Sequence, residues 1–144
     1  MTTSRLNDTE LLHWQQWKRA ADRVWSSTVN QITAETGLSG ADFSVLTRVA
    51  ESDGNRIRQA RLAELLGWER SRLSRQISRM VDRGLLTRDV EQGVRTISTT
   101  EAGQSQVVRA RHAHSRAVRT HLFDHIESKD ADAFWRVIDA LTRE

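Results

Sequence analysis

The 144-residue chain is one domain's worth of protein, long enough to bury a core without a disulfide or metal staple. It has no cysteine, which excludes disulfide frameworks, thiol nucleophiles, cysteine-ligated zinc and thiol redox sensing. The net charge is only +3, but ten arginines stand against five acids between Asn55 and Arg95, a local charge of +5 that leaves −2 for the remainder.

That concentration is the footprint a nucleic-acid partner requires. Twenty of the 22 basic residues are arginine, which either suits bidentate contacts or reflects genomic base composition. No apolar run approaches the roughly 18 residues of a membrane span, and the N-terminus lacks a signal-peptide core. A cytoplasmic protein with no membrane partner is therefore expected. The absence of proline, with only seven glycines, favours long uninterrupted helices.

In chain order, residues 6–35 predict a long amphipathic helix with Leu11, Trp14, Ala21, Trp25 and Ile32 on one face, capped by Asp8 or Thr9. Ser39-Gly-Ala-Asp42 has the form of a capping box opening a second helix that carries Phe43, Leu46 and Val49. Ser52-Asp-Gly-Asn55 is a turn cluster, and Arg56-Ile-Arg58 reads as a small strand. Residues 59–84 then predict a short helix, a tight turn at Gly67 and a second helix, the sequence form of a helix-turn-helix.

In that second helix, Leu73, Ile77, Met80 and Val81 share one face. The opposite face holds Ser71, Arg72, Arg75, Ser78 and Arg79, with Glu69 and Asp82 only at the ends. Hydroxyls and guanidinium forks opposite a packed face suit phosphates and base edges. Gly84 ends the helix; Leu85–Val90 and Val94–Thr99 form two strands joined by a turn at Glu91-Gln92-Gly93. Thr100 caps a helix to about His125, and Ser128 starts a last helix with Phe134, Val137, Ile138 and Leu141 on one side. The chain has no internal repeat and no low-complexity tract. The outer helices are amphipathic, yet a core of about 60 residues cannot cover them, so the terminal segments are expected to pack together and against a second copy.

Assembled in this order, the chain resembles the multiple-antibiotic-resistance regulator (MarR) family of winged helix-turn-helix proteins. The marks are LSGADFSVLTRVAES (38–52), RLAELLGWERSRLSRQISRMVDRGLL (61–86), TTEAG (99–103) and HLFDHI (121–126). The resemblance implies a mainly α fold with a small β-hairpin wing. The lobe would span 36–99 of a single 1–144 domain, and residues 1–35 and 100–144 would be dimerisation helices. It also implies a ligand-responsive homodimeric repressor on double-stranded DNA, with a pseudo-palindromic operator and a small aromatic effector.

Carried onto this sequence, the family's DNA-contacting positions fall on Ser71, Arg72 and Arg75, with Arg79 on backbone phosphate and Arg70 and Ser74 as second choices. The family's wing tip holds an Asp-x-Arg pattern in a longer loop. This chain has only Asp89-Val-Glu-Gln-Gly-Val-Arg95, leaving Arg95 as the basic candidate and a shorter reach into the minor groove.

Trp68, in the turn before the second helix, either braces that helix or walls an effector pocket, to which Trp17 and Trp25 would contribute from the first helix. His114, His121 and His125 fall at spacings that either seat a metal, as in a metal-sensing regulator or metal-binding bundle, or belong to a helix at the dimer contact; no metal ligand is assigned. No nucleophile elbow, phosphate loop or acid–base pair is present, so neither an enzyme nor a cofactor is expected. The competing class is a winged-helix protein–protein module without DNA binding, which the short wing favours and the nearly acid-free arginine face opposes.

Overall fold

The computed structural model describes residues 5–143; residues 1–4 and 144 of the expected terminal segments lie outside the described range. The helices are α1 (Asp8–Thr36), α2 (Gly40–Glu51), α3 (Gln59–Leu66), α4 (Arg70–Asp82), α5 (Glu101–His121) and α6 (Ser128–Thr142). The strands β1 (Arg56–Arg58), β2 (Leu86–Glu91) and β3 (Val94–Thr99) form one antiparallel sheet in the order β1-β3-β2. The mainly helical, winged architecture expected from the sequence is the one observed.

Apart from shifts of one or two residues at the ends of α1 and β2, three local features differ from expectation. Asn7, not Asp8 or Thr9, caps α1: its side chain accepts from the Glu10 N–H while Glu10 accepts from the Asn7 N–H, a reciprocal box. The hairpin turn has two residues rather than three. Glu91 pairs with Val94, and Gln92 and Gly93 both take positive φ (51° and 76°), the backbone of a type I′ turn whose twist suits the flanking strands. Helix α5 stops at His121 instead of His125. Leu122 leaves helical backbone geometry and a tight 3₁₀ turn follows over Phe123–His125, with the Phe123 ring 5.5 Å from that of Trp135 on α6.

The described chain packs as two units, one running from Gln31 to His114 and the other comprising residues up to Asn30 with those from Ser115 onward. The first holds the wing and the helix-turn-helix. Its core gathers Leu38, Val45, Leu46 and Val49 from α2 and its entrance, Leu62 from α3, Leu73, Ile77 and Met80 from α4, Leu86 and Ile97 from the sheet, and Val107 and Ala110 from α5. A fully buried Leu, Ile or Met of this kind costs about 2–5 kcal/mol when cut to alanine. Gly103 shows why the stretch TTEAG needs its glycine. A methyl group there would run into the Leu85 carbonyl, against which α5 lies. Thr100 starts this helix, accepting from the Gly103 N–H while donating to the Gly84 carbonyl.

The α2 capping box forms as expected, Ser39 accepting from the Asp42 N–H and Asp42 accepting from the Ser39 N–H. Its carboxylate is also buried and accepts from Gln76 Nε2 on α4 (2.6 Å) and from Arg83 Nη1 at the end of α4 (2.7 Å). One acidic side chain thus caps one helix and tethers another. Burial alone would raise the Asp42 pKa. Hydrogen bonds from Arg83, the Ser39 backbone and Gln76, with the Arg83 charge, outweigh it and hold the carboxyl below the ordinary aspartate range.

The second unit contains α1 up to Asn30, the last turns of α5 from Ser115, the 3₁₀ turn and α6. No residue of α6 is buried. Leu11, Trp14 and Trp25, expected to lie on a covered face of α1, are 44%, 50% and 70% exposed, while Ile32, further along the same helix, is buried in the first unit. Val137 and Leu141 of α6 are likewise exposed.

Asp42→Ala should cost about 1.5–3 kcal/mol in urea unfolding, since it removes charge-assisted bonds from a buried site. Because the folded pKa is depressed, the Asp42 contribution is complete above the ordinary aspartate pKa and vanishes as pH falls through the lower folded value. Stability measured down that acid range should therefore fall less steeply in Asp42→Asn than in the wild type.

Candidate nucleic-acid interface

Helix α3 ends at Gly67, whose left-handed backbone (φ 65°, ψ 30°) lets its N–H satisfy the carbonyls of Ala63 and Glu64 and turns the chain sharply. The Trp68 N–H closes the same turn on the Ala63 carbonyl, and α4 begins two residues later. Leu73, Ile77 and Met80 pin one side of α4 in the core, with Val81 half-buried. Gln76 shares that buried side, which its spacing from Leu73 and Met80 makes legible once a polar residue is admitted there.

The other side is exposed at Arg70, Ser71, Arg72, Arg75 and Arg79, and partly so at Ser74 and Ser78. No acid lies in the first turn of α4, and no side chain caps its N-terminus. These exposed positions are not equivalent. Arg79 donates to Gln76 Oε1 (2.8 Å), which joins it to the Asp42 network. The Arg72 guanidinium carbon sits 4.0 Å from the centre of the Trp68 ring. Arg70 and Arg75 carry no such tether among the described residues.

The wing is fastened to this helix by a residue that sequence reasoning missed. Arg88 on β2 donates to Ser78 Oγ (3.0 Å) and to the Ser74 carbonyl (2.9 Å). Burial, then the like charge of Arg95, push Arg88 below the ordinary arginine value, though an arginine remains charged at neutral pH. The strand register explains this neighbourhood. Arg88 stands opposite Ile97 and Val90 opposite Arg95, so these four share one sheet face, while Asp89 and Glu91 alternate onto the other. Pairing thus separates the hairpin's arginines from its acids.

A groove of about 570 Å³ runs between wing and helix, lined among others by Arg58, Arg70, Ser71, Ser74 and Arg95. It brings together three arginines distant in sequence. Arg58 was legible only as part of a short strand; it borders the groove from the end of β1, where the chain enters α3, although its partner Thr96 stands on the sheet face opposite Arg95. Arg72, Arg75 and Arg79 do not line this groove and remain on the open face of α4.

The remaining candidates separate. Trp68 belongs to the winged unit and Trp17 and Trp25 to the helical one, where both are exposed. The cleft beside α1 in that helical unit is lined instead by Ala20, Arg23 and Val24 with His121, His125 and Phe134. The proposed histidine row does not hold its helical spacing, since His121 ends α5 and His125 lies in the 3₁₀ turn. His114 stacks on Phe43 with ring centres 5.5 Å apart. Among the described residues, no group of three or more His, Cys, Asp or Glu is placed to hold a metal ion. Nor, among them, is any helix long and apolar enough to cross a membrane.

A helix-turn-helix with a hairpin wing strapped to its second helix defines a winged helix-turn-helix protein. A family model described as MarR family matches residues 27–95. Among solved structures, AbsC, a MarR family transcriptional regulator from Streptomyces coelicolor, aligns with a TM-score of 0.81 at 25% identity, covering 96% of this chain and 95% of its own. Sco3205, a MarR family transcriptional regulator from the same organism solved in complex with DNA, aligns at 0.80 with 24% identity, over 95% of this chain and 88% of that one. A mutant MarR from E. coli complexed with operator DNA aligns at 0.68 with 14% identity, over 88% and 93%. None of the curated proteins matches the sequence significantly. The winged lobe, residues 27–95, thus matches the MarR family, and the chain has the fold of MarR family transcriptional regulators.

Arg88→Met removes both bonds from the wing to α4 and should destabilise the lobe by about 1–3 kcal/mol. Amide hydrogen exchange should quicken across β2 and β3 while Leu46 and Val49 stay protected; equal loss of protection in both places would show that Arg88 is not a local clasp.

Proposed function

We propose that the chain is a homodimeric DNA-binding transcription regulator of the cytoplasm. It acts as a repressor that leaves a pseudo-palindromic operator when a small aromatic effector binds. The observation that carries this reading is the face of α4, exposed, arginine-rich, free of acid in its first turn and backed by a rigid core. Such a helix fits the major groove, offering guanidinium forks to base edges and backbone oxygens.

Ser71, Arg72 and Arg75 contact base edges. Arg79, with Arg70 at the uncapped helix start, meets phosphate, where the helix dipole favours negative charge. Ser74 and Arg95, together with Arg58, line the groove beside α4 and take the adjacent backbone. The two-residue turn keeps the wing short, so α4 supplies most of the sequence discrimination. The structures of Sco3205 and E. coli MarR with DNA support this use of the fold.

Fluorescence anisotropy with a labelled random-sequence duplex, and with a duplex enriched by the protein from a randomised library, tests this directly. Binding should weaken steeply as salt rises. Arg75→Ala should cost roughly 1–3 kcal/mol on the enriched duplex, whereas Arg79→Ala should weaken both duplexes alike and lower the salt slope by about 1. Equal affinity for wild type, Arg72→Ala and Arg75→Ala would put the interface elsewhere. No binding to random duplex at low salt would favour a protein–protein module. In the same assay benzoate, as a simple aromatic acid, should release the enriched duplex and alter tryptophan emission, through the candidates Trp17, Trp25 and Trp68.

The exposed apolar residues of α1 and α6 support the homodimer, since Trp25 at 70% and Leu141 at 67% exposure leave large faces that a second copy would cover. Sedimentation velocity should show a dimer for the wild type and a smaller species for Val137→Asp combined with Leu141→Asp. A monomeric wild type at micromolar concentration would remove the dimer from the reading.

A further inference from the structure

Among the arginines of α4, its C-terminal cap and the wing, three are tied by polar bonds: Arg79 to Gln76, Arg83 to Asp42, and Arg88 to Ser74 and Ser78. Arg72 has no such bond and is held by an aromatic ring instead. Its guanidinium lies over the Trp68 ring at 4.0 Å, and among the described residues no carboxylate or hydrogen-bond acceptor engages it. Trp68 is itself fixed, by its N–H bond to the Ala63 carbonyl and by packing its half-buried ring on the core. Trp68 lies in the turn two residues before α4 begins and Arg72 in the first turn of that helix, where the ring of the one meets the guanidinium of the other.

We infer that Trp68 is the positioning residue for Arg72, and that through Arg72 it sets a guanine preference at one base pair of the bound duplex. This rests on the reading of α4 as the DNA-contacting helix. The physical reasons are three. A guanidinium held by its π face keeps its N–H donors, which lie in its plane, free for a partner. A long side chain ordered before binding surrenders less freedom on binding than one that must be ordered by the ligand. The partner that accepts two parallel donors from such a fork in the major groove is guanine, through O6 and N7. Arg75, exposed and untethered, lacks this preparation, so the two neighbouring arginines are distinguished by what lies behind them and not by their chemistry.

A double-mutant cycle at Trp68 and Arg72, read on the enriched duplex and on random duplex, tests the inference. Trp68→Leu should weaken binding to the enriched duplex about tenfold, within the range spanned by loss of one good base contact. It should change binding to random duplex by less than about twofold. In the Arg72→Ala background the same substitution should have almost no further effect, and Trp68→Phe should retain most of the affinity. Library selection with Trp68→Leu should lose the same guanine that Arg72→Ala loses. Additive losses with an unchanged base preference would reduce Trp68 to a structural role and overturn the inference. Wild-type NMR decides independently of how the variants fold: the Arg72 side-chain Nε–H resonance should be displaced upfield by the indole ring, and an undisplaced resonance would also overturn it. Failure of the wild type to bind any duplex would overturn the DNA reading as well, whereas wild-type binding without coupling would sink the stacking role alone.

Discussion

The placement of α4 depends on one carboxylate. Asp42 belongs to the capping box of α2, but its oxygens also accept from Gln76 and Arg83, at the middle and end of α4. A buried charge is expensive unless its hydrogen-bonding capacity is met. Here that requirement works as a constraint: the carboxylate is satisfied only when α2 and α4 sit at one relative position. Apolar packing by Leu73, Ile77 and Met80 sets which side of α4 meets the core, and the Asp42–Gln76 bond holds that arrangement. The network reaches the exposed face through Arg79, which donates to the remaining oxygen of Gln76. A cap at the start of one helix therefore governs where an arginine on another is presented.

The wing solves a related problem of charge placement by register. Strand alternation puts Arg88 and Arg95 on the sheet face opposite the one holding Asp89 and Glu91. A slip of one residue would exchange them and turn the acids toward α4. The positive φ of Gln92 and Gly93 fixes that register, because a type I′ turn pairs Glu91 with Val94 and thereby every residue behind them. Arg88 then bonds Ser74 and Ser78, joining hairpin and helix. The shortness of the wing follows from the same turn. In the helical unit the balance is opposite: α6 has no buried residue, and its Val137 and Leu141 are exposed.

Much of the lobe was legible in the sequence because its signals are local. The capping box at Ser39 and Asp42, the turn at Gly67, the apolar spacing of Leu73, Ile77 and Met80, and the two strands each depend on residues within a few positions of one another. Where local signals competed, the boundaries moved: Asn7 displaced Asp8 and Thr9 as a cap because Glu10 could answer it, and α5 ended early at a place carrying neither proline nor glycine. The arginines of α4 could be ranked by helical face but not by tether. Whether Arg72 rests on a ring and Arg75 on nothing is a matter of side-chain position, not of spacing.

The sequence by itself determined the order of elements, the helix-turn-helix and which side of α4 stays in water, since periodicity, caps and turns are encoded over one or two helical turns. Only the tertiary structure decided that Gln76 is buried against Asp42, 34 residues away, that Arg88 clasps α4, and that Arg58 and Arg95 line one groove with Arg70. These pairings depend on the register of strands and the rotation of helices about a shared core. No local pattern records them, because each is fixed by burial and hydrogen bonding between segments that the chain brings together only when it folds.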